Sequence, residues 1–160
     1  KRIIVALAFL TALSLPVSAQ DFDKGMAAYK AGDYASAVQE WTPLAAAGNE
    51  KAQVNLGSMY GQGQGVLQDY AEAAKWSRLA AEQGSAAGQS NLGFMYSNGL
   101  GVLQDSVMAH MWYNIASANG HEEGGTNRDR LVKKMTPADI SKAQAMAREC
   151  MSSGYKKCGY

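Results

Sequence analysis

The chain has 160 residues, of which 47% are hydrophobic and 18% are charged. This composition is typical of a folded globular domain and argues against extended disorder. The formal net charge is only +1, so the chain has no strong field that would favour nucleic acid or an acidic lipid surface as its partner. We therefore expect no nucleic-acid partner.

The first 19 residues have the pattern of a secretory signal peptide. Lys1 and Arg2 are followed by an apolar run over residues 3–15. A proline and three residues with small or medium-sized side chains follow, the last of which is Ala19. The run is shorter than the roughly 20 residues that a membrane-spanning helix needs, so a retained membrane anchor is the weaker alternative. We expect cleavage after Ala19 and a periplasmic or secreted protein with no stable membrane insertion.

Residues 22–48 are predicted to form a divergent pair of helices. Asp33 and Gly48 recur 36 residues later as Asp69 and Gly84. We therefore assign this segment as a first, atypical repeat in a repeat domain that would run from residue 20 to residue 135.

Residues 49–84 and 85–120 match each other without a gap at an offset of 36 residues. The string Val-Leu-Gln-Asp that ends at Asp69 returns unchanged and ends at Asp105. Self-similarity at a fixed period is the signature of a repeat protein. The structural motif positions are Leu56, Gly57, Tyr60, Gly65, Asp69, Ala73 and Trp76 in one repeat and Leu92, Gly93, Tyr96, Gly101, Asp105, Ala109 and Trp112 in the next.

Each of these repeats is predicted to contain two helices that pack on each other. Ala52, Leu56 and Tyr60 follow one another at intervals of four residues, so they share one face of a first helix. Gly57 and Gly93 fall inside the first helices, where glycine costs about 0.5–1 kcal/mol, and close approach of a neighbouring helix is the usual compensation. The motif tyrosines and tryptophans are expected in the core rather than as stacking surfaces for sugars or bases.

Turn and capping residues predict where the helices begin and end. Asp69 and Asp105 are expected to cap the second helices, and Glu72 would complete a capping box with Asp69. Gly84 and Gly120 are expected to end helices in the left-handed conformation. All these positions agree with the period of the repeat.

Beyond the repeats, the segment over residues 120–126 is predicted to be a loop, and residues 127–135 a short charged helix. Residues 136–160 are predicted to form a C-terminal capping helix and a tail. This last helix would begin with Thr136 as its cap and Pro137 in its first turn.

Cys150 and Cys158 are predicted to form one disulfide, because an even number of cysteines in an exported protein favours pairing. On one continuous helix they would lie about 12 Å apart along the axis, which is too far for a disulfide. We therefore expect the chain to turn back near Gly154 and close the tail over the helix end.

The pattern A-x-x-x-L-G-x-x-Y, G-x-G-V-x-x-D and A-x-x-W-x-x-x-A-x-x-x-G between Ala52 and Gly84 resembles the Sel1-like repeat, a branch of the tetratricopeptide superfamily. The second copy departs from it at Gly88, which takes the place of Ala52. The stretch from Arg128 to the final helix also resembles the ending of exported bacterial members.

This resemblance implies an all-α fold, a right-handed α-α superhelix (solenoid) of stacked helix-turn-helix repeats with a C-terminal capping helix. The first helices would line a concave face on which a protein or peptide partner docks. The groove positions of the superfamily correspond here to Val54, Ser58, Gly61, Ser90, Phe94 and Ser97.

The sequence offers little that could support catalysis or metal binding. His110 and His121 are the only histidines, and neither has a partner at metal-ligand spacing. His110 is predicted at a half-exposed surface and His121 in a loop. Ser153 and Lys156 form an S-x-x-K pair, but the S-D-N and K-T-G elements that accompany it in penicillin-binding enzymes are missing, so we interpret the pair as coincidence. No catalytic residue, metal or cofactor is expected.

We therefore expect a non-enzymatic scaffold or adaptor that binds a protein or peptide in the bacterial envelope or after secretion. Two alternatives of another kind stay open. One is a protein that binds peptidoglycan fragments, and the other is an enzyme that hydrolyses peptidoglycan or acts on β-lactams.

Overall fold

The computed structural model describes residues 22–159, so the predicted signal peptide at 1–19 and its cleavage point lie outside the described residues. Residues 22–159 form eight α-helices and no strand. The helices are α1 (Phe22–Lys30), α2 (Tyr34–Ala46), α3 (Glu50–Gln62), α4 (Tyr70–Glu82), α5 (Ala86–Asn98), α6 (Ser106–Ala118), α7 (Glu122–Val132) and α8 (Pro137–Ser152).

The helices stack as a solenoid, which confirms the predicted fold class. From α1 to α7, each helix packs against the next one along the chain, and α3 also touches α5, which touches α7. The last helix, α8, instead packs on α6. The first helices of successive pairs therefore lie side by side on one face, while α8 covers the second helix of the last complete repeat.

The predicted caps are confirmed, with one correction. The carboxylate of Asp69 accepts hydrogen bonds from the backbone amides of Ala71 (2.9 Å) and Glu72 (3.1 Å). However, the backbone amide of Asp69 donates to the carbonyl of Tyr60 (2.9 Å), and the Glu72 carboxylate pairs with Lys75 (3.0 Å). The amide that a capping box would satisfy is already occupied, so the box is not completed.

Close approach explains the glycines inside the first helices. A Cβ atom on Gly57 would lie 2.8 Å from the Oγ of Ser77, and one on Gly93 would lie 2.8 Å from the ring of Tyr113. Both distances are shorter than side-chain carbons tolerate, so an alanine at either position would require the facing side chain of the second helix to move. This confirms the packing role predicted for Gly57 and Gly93.

Two buried glutamines, one per repeat, link their own helix pair to the preceding helix. The side-chain oxygen of Gln53 accepts a hydrogen bond from Gln83 (2.7 Å), and that of Gln89 accepts one from Asn119 (2.8 Å). The amide nitrogens of Gln53 and Gln89 donate to carbonyls at the end of the preceding second helix, at 3.0 Å and 3.2 Å. Because a buried amide without partners is costly, these hydrogen bonds help to fix the offset between repeats.

The prediction for residues 120–135 is wrong in its boundaries. The helix begins at Glu122, not at residue 127, and ends at Val132. His121, predicted in a loop, is its N-cap and accepts a hydrogen bond at Nδ1 from the amide of Gly124 (3.1 Å). A Cβ atom on Gly124 would lie 2.9 Å from the Cβ of Ala116, so this glycine permits close packing of α7 on α6, as Gly57 does for α3. Helix α7 thus takes the place of a first helix, in register with α3 and α5.

His110 is not half-exposed as predicted but only 1% exposed. Helix α6 is in contact with α5, α7 and α8, which leaves little of its surface to solvent. The Nδ1 atom of His110 has no hydrogen-bond partner within the described residues. Burial, and then the positive charge of Arg128, lowers the pKa of His110, so the imidazole is neutral in the folded protein near pH 7.

The C-terminal tail closes over the end of α8 as predicted. Cys150 and Cys158 are joined by a disulfide, with their Cα atoms 4.5 Å apart. The chain reverses at Gly154 and Tyr155, both with a φ of 64°. The hydroxyl of Tyr155 accepts a hydrogen bond from the side chain of Asn119 (2.9 Å), which ties the tail to the end of α6.

Candidate binding groove

Three pockets lie along the face formed by the first helices. The N-terminal pocket has a volume of about 360 Å³ and lies between α1, α3 and the start of α5. The central pocket, of about 220 Å³, lies between α3 and α5 above α4. The C-terminal pocket, of about 230 Å³, lies between α5 and α7. Together they form a segmented groove across the stack.

Small side chains create the central pocket. Gly57, Gly61, Ala73 and Ser77 line it, so α3 and α4 leave an open space beside α5. A Cβ atom on Gly61 would lie 3.7 Å from the Cβ of Ala73, which is an ordinary contact distance. Packing therefore does not require glycine at position 61, and its effect is to leave the pocket open.

Phe94 separates the central pocket from the C-terminal pocket and lines both. Its side chain is 51% exposed. A large aromatic side chain that is half-exposed between two concavities is a typical anchor point for a partner, because it can bury a large apolar area on binding.

The C-terminal pocket combines aromatic and cationic side chains. Phe94 and Tyr113 contribute rings, and Arg130 and Lys134 contribute positive charge. Burial raises the pKa of Tyr113 to about 12, so its phenol stays neutral near pH 7. The pocket thus offers apolar surface next to two cations.

The groove is built from three rows of equivalent positions, each spaced by the repeat period of 36 residues. Helices α3 and α5 contribute one residue each to every row, and α7 together with the turn that follows it contributes the third. Each of these residues lines at least one of the pockets. The rows are Asn55, Asn91 and Asn127; Ser58, Phe94 and Arg130; and Gln62, Asn98 and Lys134. A row of side-chain amides can both donate to and accept from peptide groups.

The structure brings most of the predicted groove residues to this face. Val54 lines the N-terminal pocket, Ser58 the central pocket, and Ser97 the C-terminal pocket, while Phe94 lines two of them. Ser90 differs, since it is 7% exposed and lines none of the three, so it offers almost no surface to a partner.

Sequence reasoning missed the residues that α7 and the turn after it contribute. Asn127, Arg130 and Lys134 follow Asn91, Phe94 and Asn98 by one further period. Extending the register past residue 120 would have found them. The glycines at 124 and 125 suggested a loop instead, and the third copy was not counted.

The S-x-x-K serine is engaged in local structure. The hydroxyl of Ser153 donates to the carbonyl of Cys150 (2.8 Å) and accepts from the backbone amides of Lys156 (3.2 Å) and Lys157 (3.0 Å). These bonds place it in the turn that ends α8. Across residues 22–159, no group of three or more metal-binding side chains is found. In the same part of the chain, no helix has the length and apolarity needed to span a bilayer.

The stacked hairpins and the groove of first helices define a helical-repeat protein of the solenoid class. A family model described as Sel1 repeat matches residues 50–85 and 86–121. One similar solved structure is a protective antigen of uropathogenic Escherichia coli with an SLR fold, 34% identical, with a TM-score of 0.80 over 87% of this chain and 31% of that one. Another is a Sel1 repeat protein from Oxalobacter formigenes, 30% identical, with a TM-score of 0.66 over 87% of this chain and 59% of that one.

The chain therefore belongs to the Sel1-like repeat family. Proteins with these repeats are typically scaffolds for protein interactions. The chain spans 31% and 59% of the lengths of the two solved structures. No curated protein matches it significantly.

Proposed function

We propose that this chain is a non-enzymatic scaffold or adaptor that binds a protein or peptide partner in the groove along α3, α5 and α7. The observation that carries the proposal is Phe94, half-exposed between two pockets that the repeat itself creates. The asparagine row gives further support, because amides at regular spacing can pair with the backbone of an extended segment.

The sizes of the two pockets beside Phe94 favour a chain with several side chains over a single small molecule. The central and C-terminal pockets measure about 220 Å³ and 230 Å³, whereas small-molecule sites usually range from about 300 to 1,000 Å³. Two small pockets that share a wall suit neighbouring side chains of one peptide.

Site-specific photo-crosslinking tests the groove. A photoreactive phenylalanine analogue at Phe94 is expected to capture a defined partner, and the same analogue at Leu103, which is 90% exposed outside the groove, is expected not to. Equal capture at both positions would count against the groove. Failure to capture any protein, together with turnover of muropeptides or a chromogenic β-lactam by the purified chain, would favour the enzyme alternative.

The second part of the proposal is that the protein acts outside the cytoplasm, in the periplasm or after secretion. The disulfide supports it, because such bonds persist in oxidising compartments. The test is alkylation of protein taken from the producing cell without reductant, followed by mass spectrometry. The expected result is an unlabelled Cys150–Cys158 pair in the extracytoplasmic fraction and a chain that begins after Ala19. Two labelled thiols would contradict the proposal.

A further inference from the structure

Charge is distributed unevenly along the groove. In the two rows whose residue type changes, α3 contributes Ser58 and Gln62, and α5 contributes Phe94 and Asn98. The third members are Arg130 on α7 and Lys134 in the turn that follows it. Helix α5 carries no charged residue at all between Ala86 and Asn98. The N-terminal pocket is lined by one acid and one base, Glu50 and Lys51, and the central pocket by no charged residue. The C-terminal pocket therefore differs from both, because its two charged residues are positive.

Neither of these two cations belongs to a salt bridge found within residues 22–159. The acid next to Arg130 in the chain, Asp129, is paired with Arg128 instead. The guanidinium of Arg130 contacts the side-chain oxygen of Asn127 at 3.4 Å, which leaves its charge uncompensated. No acidic residue lines the C-terminal pocket.

We infer that the groove selects a peptide segment with an acidic side chain next to a large apolar one. The apolar side chain would occupy the central pocket against Phe94, and the Asp or Glu carboxylate would occupy the C-terminal pocket between Arg130 and Lys134. A guanidinium and an ammonium together can hold a carboxylate through charge-assisted hydrogen bonds. This inference rests on the proposed peptide-binding function and specifies its ligand.

Two features of the pocket favour an acid over any neutral polar group. Arg130 and Lys134 line the same pocket and are both exposed, so their positive potentials add at one place that a carboxylate can reach. The ring of Phe94 forms the boundary between the apolar and the cationic parts, so one peptide can satisfy both at once. The preference for an acidic peptide then contributes more to the specificity of binding than to its affinity.

Selection from a random peptide library, displayed against the full chain, tests the inference. Arg130→Gln/Lys134→Gln removes the two groove cations. Lys142→Gln/Lys156→Gln is the matched control, since it removes the same net charge from exposed positions on α8 and the tail. We expect peptides selected on the wild type and on the control to be enriched in Asp or Glu at a fixed distance from a large apolar residue. The groove variant should lose that enrichment.

The binding of a selected peptide gives the quantitative result. Its affinity should fall about tenfold on the groove variant, as expected from the loss of two partly exposed ion pairs, and its dependence on salt should weaken. The control should bind within about twofold of the wild type. Unchanged circular dichroism spectra would show that all three proteins are folded.

The outcomes separate this inference from the proposed function. If selected peptides show no acidic preference, or the same preference on the groove variant, yet are lost on Phe94→Asp, the acid selectivity is wrong and the groove proposal stands. If no selected peptide depends on Phe94, both are wrong. Displacement of a selected peptide by a single-stranded oligonucleotide at lower concentration than by free peptide would overturn the acidic-peptide assignment in favour of nucleic acid.

Discussion

The second helices of the two matching repeats, α4 and α6, occupy equivalent places and have very different surroundings. Lys75 on α4 has a side chain that is 57% exposed, whereas its counterpart on α6, Met111, is 0% exposed. In the same way, Leu79 is 38% exposed and its counterpart Ile115 is 0% exposed. The difference arises because α8 and the disulfide-closed tail lie against α6, whereas no element within residues 22–159 covers α4 in the same way.

This contrast distinguishes two sets of residues in the repeat, those that form the hairpin and those that contact whatever covers it. The motif residues specify the hairpin, and they are the same in both copies. Residues between them depend on what covers the helix, and two of them change from charged to apolar where the capping helix packs: Glu72 corresponds to Met108, and Lys75 to Met111. Met108 and Met111 belong to one buried cluster with Ala143, Ala147 and Cys150 of α8. The last repeat therefore combines a repeat motif with a surface for its cap.

The largest expected effect comes from exchanging the equivalent residues Lys75 and Met111. Met111→Lys would bury an ammonium group without a partner, and we expect a loss of at least about 4 kcal/mol in the free energy of unfolding. Lys75→Met should stay within about 1 kcal/mol, because it removes only an exposed ion pair with Glu72 and a contact over the Trp76 ring. Urea denaturation followed by far-UV circular dichroism measures both.

Similar losses of unfolding free energy for Met111→Lys and Lys75→Met would contradict this difference, since they would mean that α4 and α6 are covered to the same degree in solution. A Met111→Leu variant serves as the control for side-chain shape and should lose less than about 1.5 kcal/mol.

A smaller effect is expected at the equivalent glycines of the first helices. On Gly93→Ala, the new methyl group meets the ring of Tyr113, which is 3% exposed and cannot easily move away. We expect a loss of about 2–3 kcal/mol. On Gly57→Ala, the methyl group meets the hydroxyl of Ser77, which can rotate, and the helix propensity of alanine offsets about 1 kcal/mol of the strain.

Thermal or urea unfolding of the two variants gives the comparison. The double variant Gly93→Ala/Tyr113→Ser tests the cause, because it replaces the ring by the small side chain present in the other repeat. In the Tyr113→Ser background, Gly93→Ala should lower the free energy of unfolding about as little as Gly57→Ala does on its own. A cost unchanged by Tyr113→Ser would show that the ring is not the obstacle.

The stacked hairpins could be predicted from the sequence because the signals are local and periodic. Asp69 caps α4 whatever the helix packs against. Gly84 ends the helix through the conformation of its own backbone. A motif at a fixed period also implies neighbours of the same shape. These features do not depend on contacts with distant parts of the chain, so the sequence alone is enough to predict them.

Two features could not be predicted in this way, for a physical reason. The burial of His110 depends on α8, which joins α6 from about 30 residues further along the chain, and local pattern does not encode that contact. The glycines at the start of α7 have the composition of a loop, and only their fit against Ala116 shows that they belong to a helix. The groove cations were missed because of this loop assignment, although the 36-residue register, extended past residue 120, places Arg130 one period after Phe94.

The smallest expected effect concerns pH and again contrasts α6 with α4, where the counterpart of His110 is Ala74. An unfolded histidine has a pKa of about 6.5, and in the folded chain burial and the charge of Arg128 hold the pKa of His110 below its ordinary value, against a smaller opposing effect of Asp129. The unfolded state therefore binds the proton more readily. Stability should be at its full value above about pH 6.5 and should fall as the pH drops below it, by at most about 1.4 kcal/mol per pH unit, until the pH passes the folded pKa.

Urea midpoints measured between about pH 8 and about pH 5 reveal this slope before most carboxylates titrate. His110→Ala installs the residue present in α4 and should reduce the slope, even though the cavity it creates lowers stability at every pH. His121→Asn keeps a capping side chain on α7 and leaves His110 in place, so the slope should persist. A slope that persists in His110→Ala and disappears in His121→Asn would mean that the α7 cap, and not the buried imidazole of α6, carries the acid sensitivity.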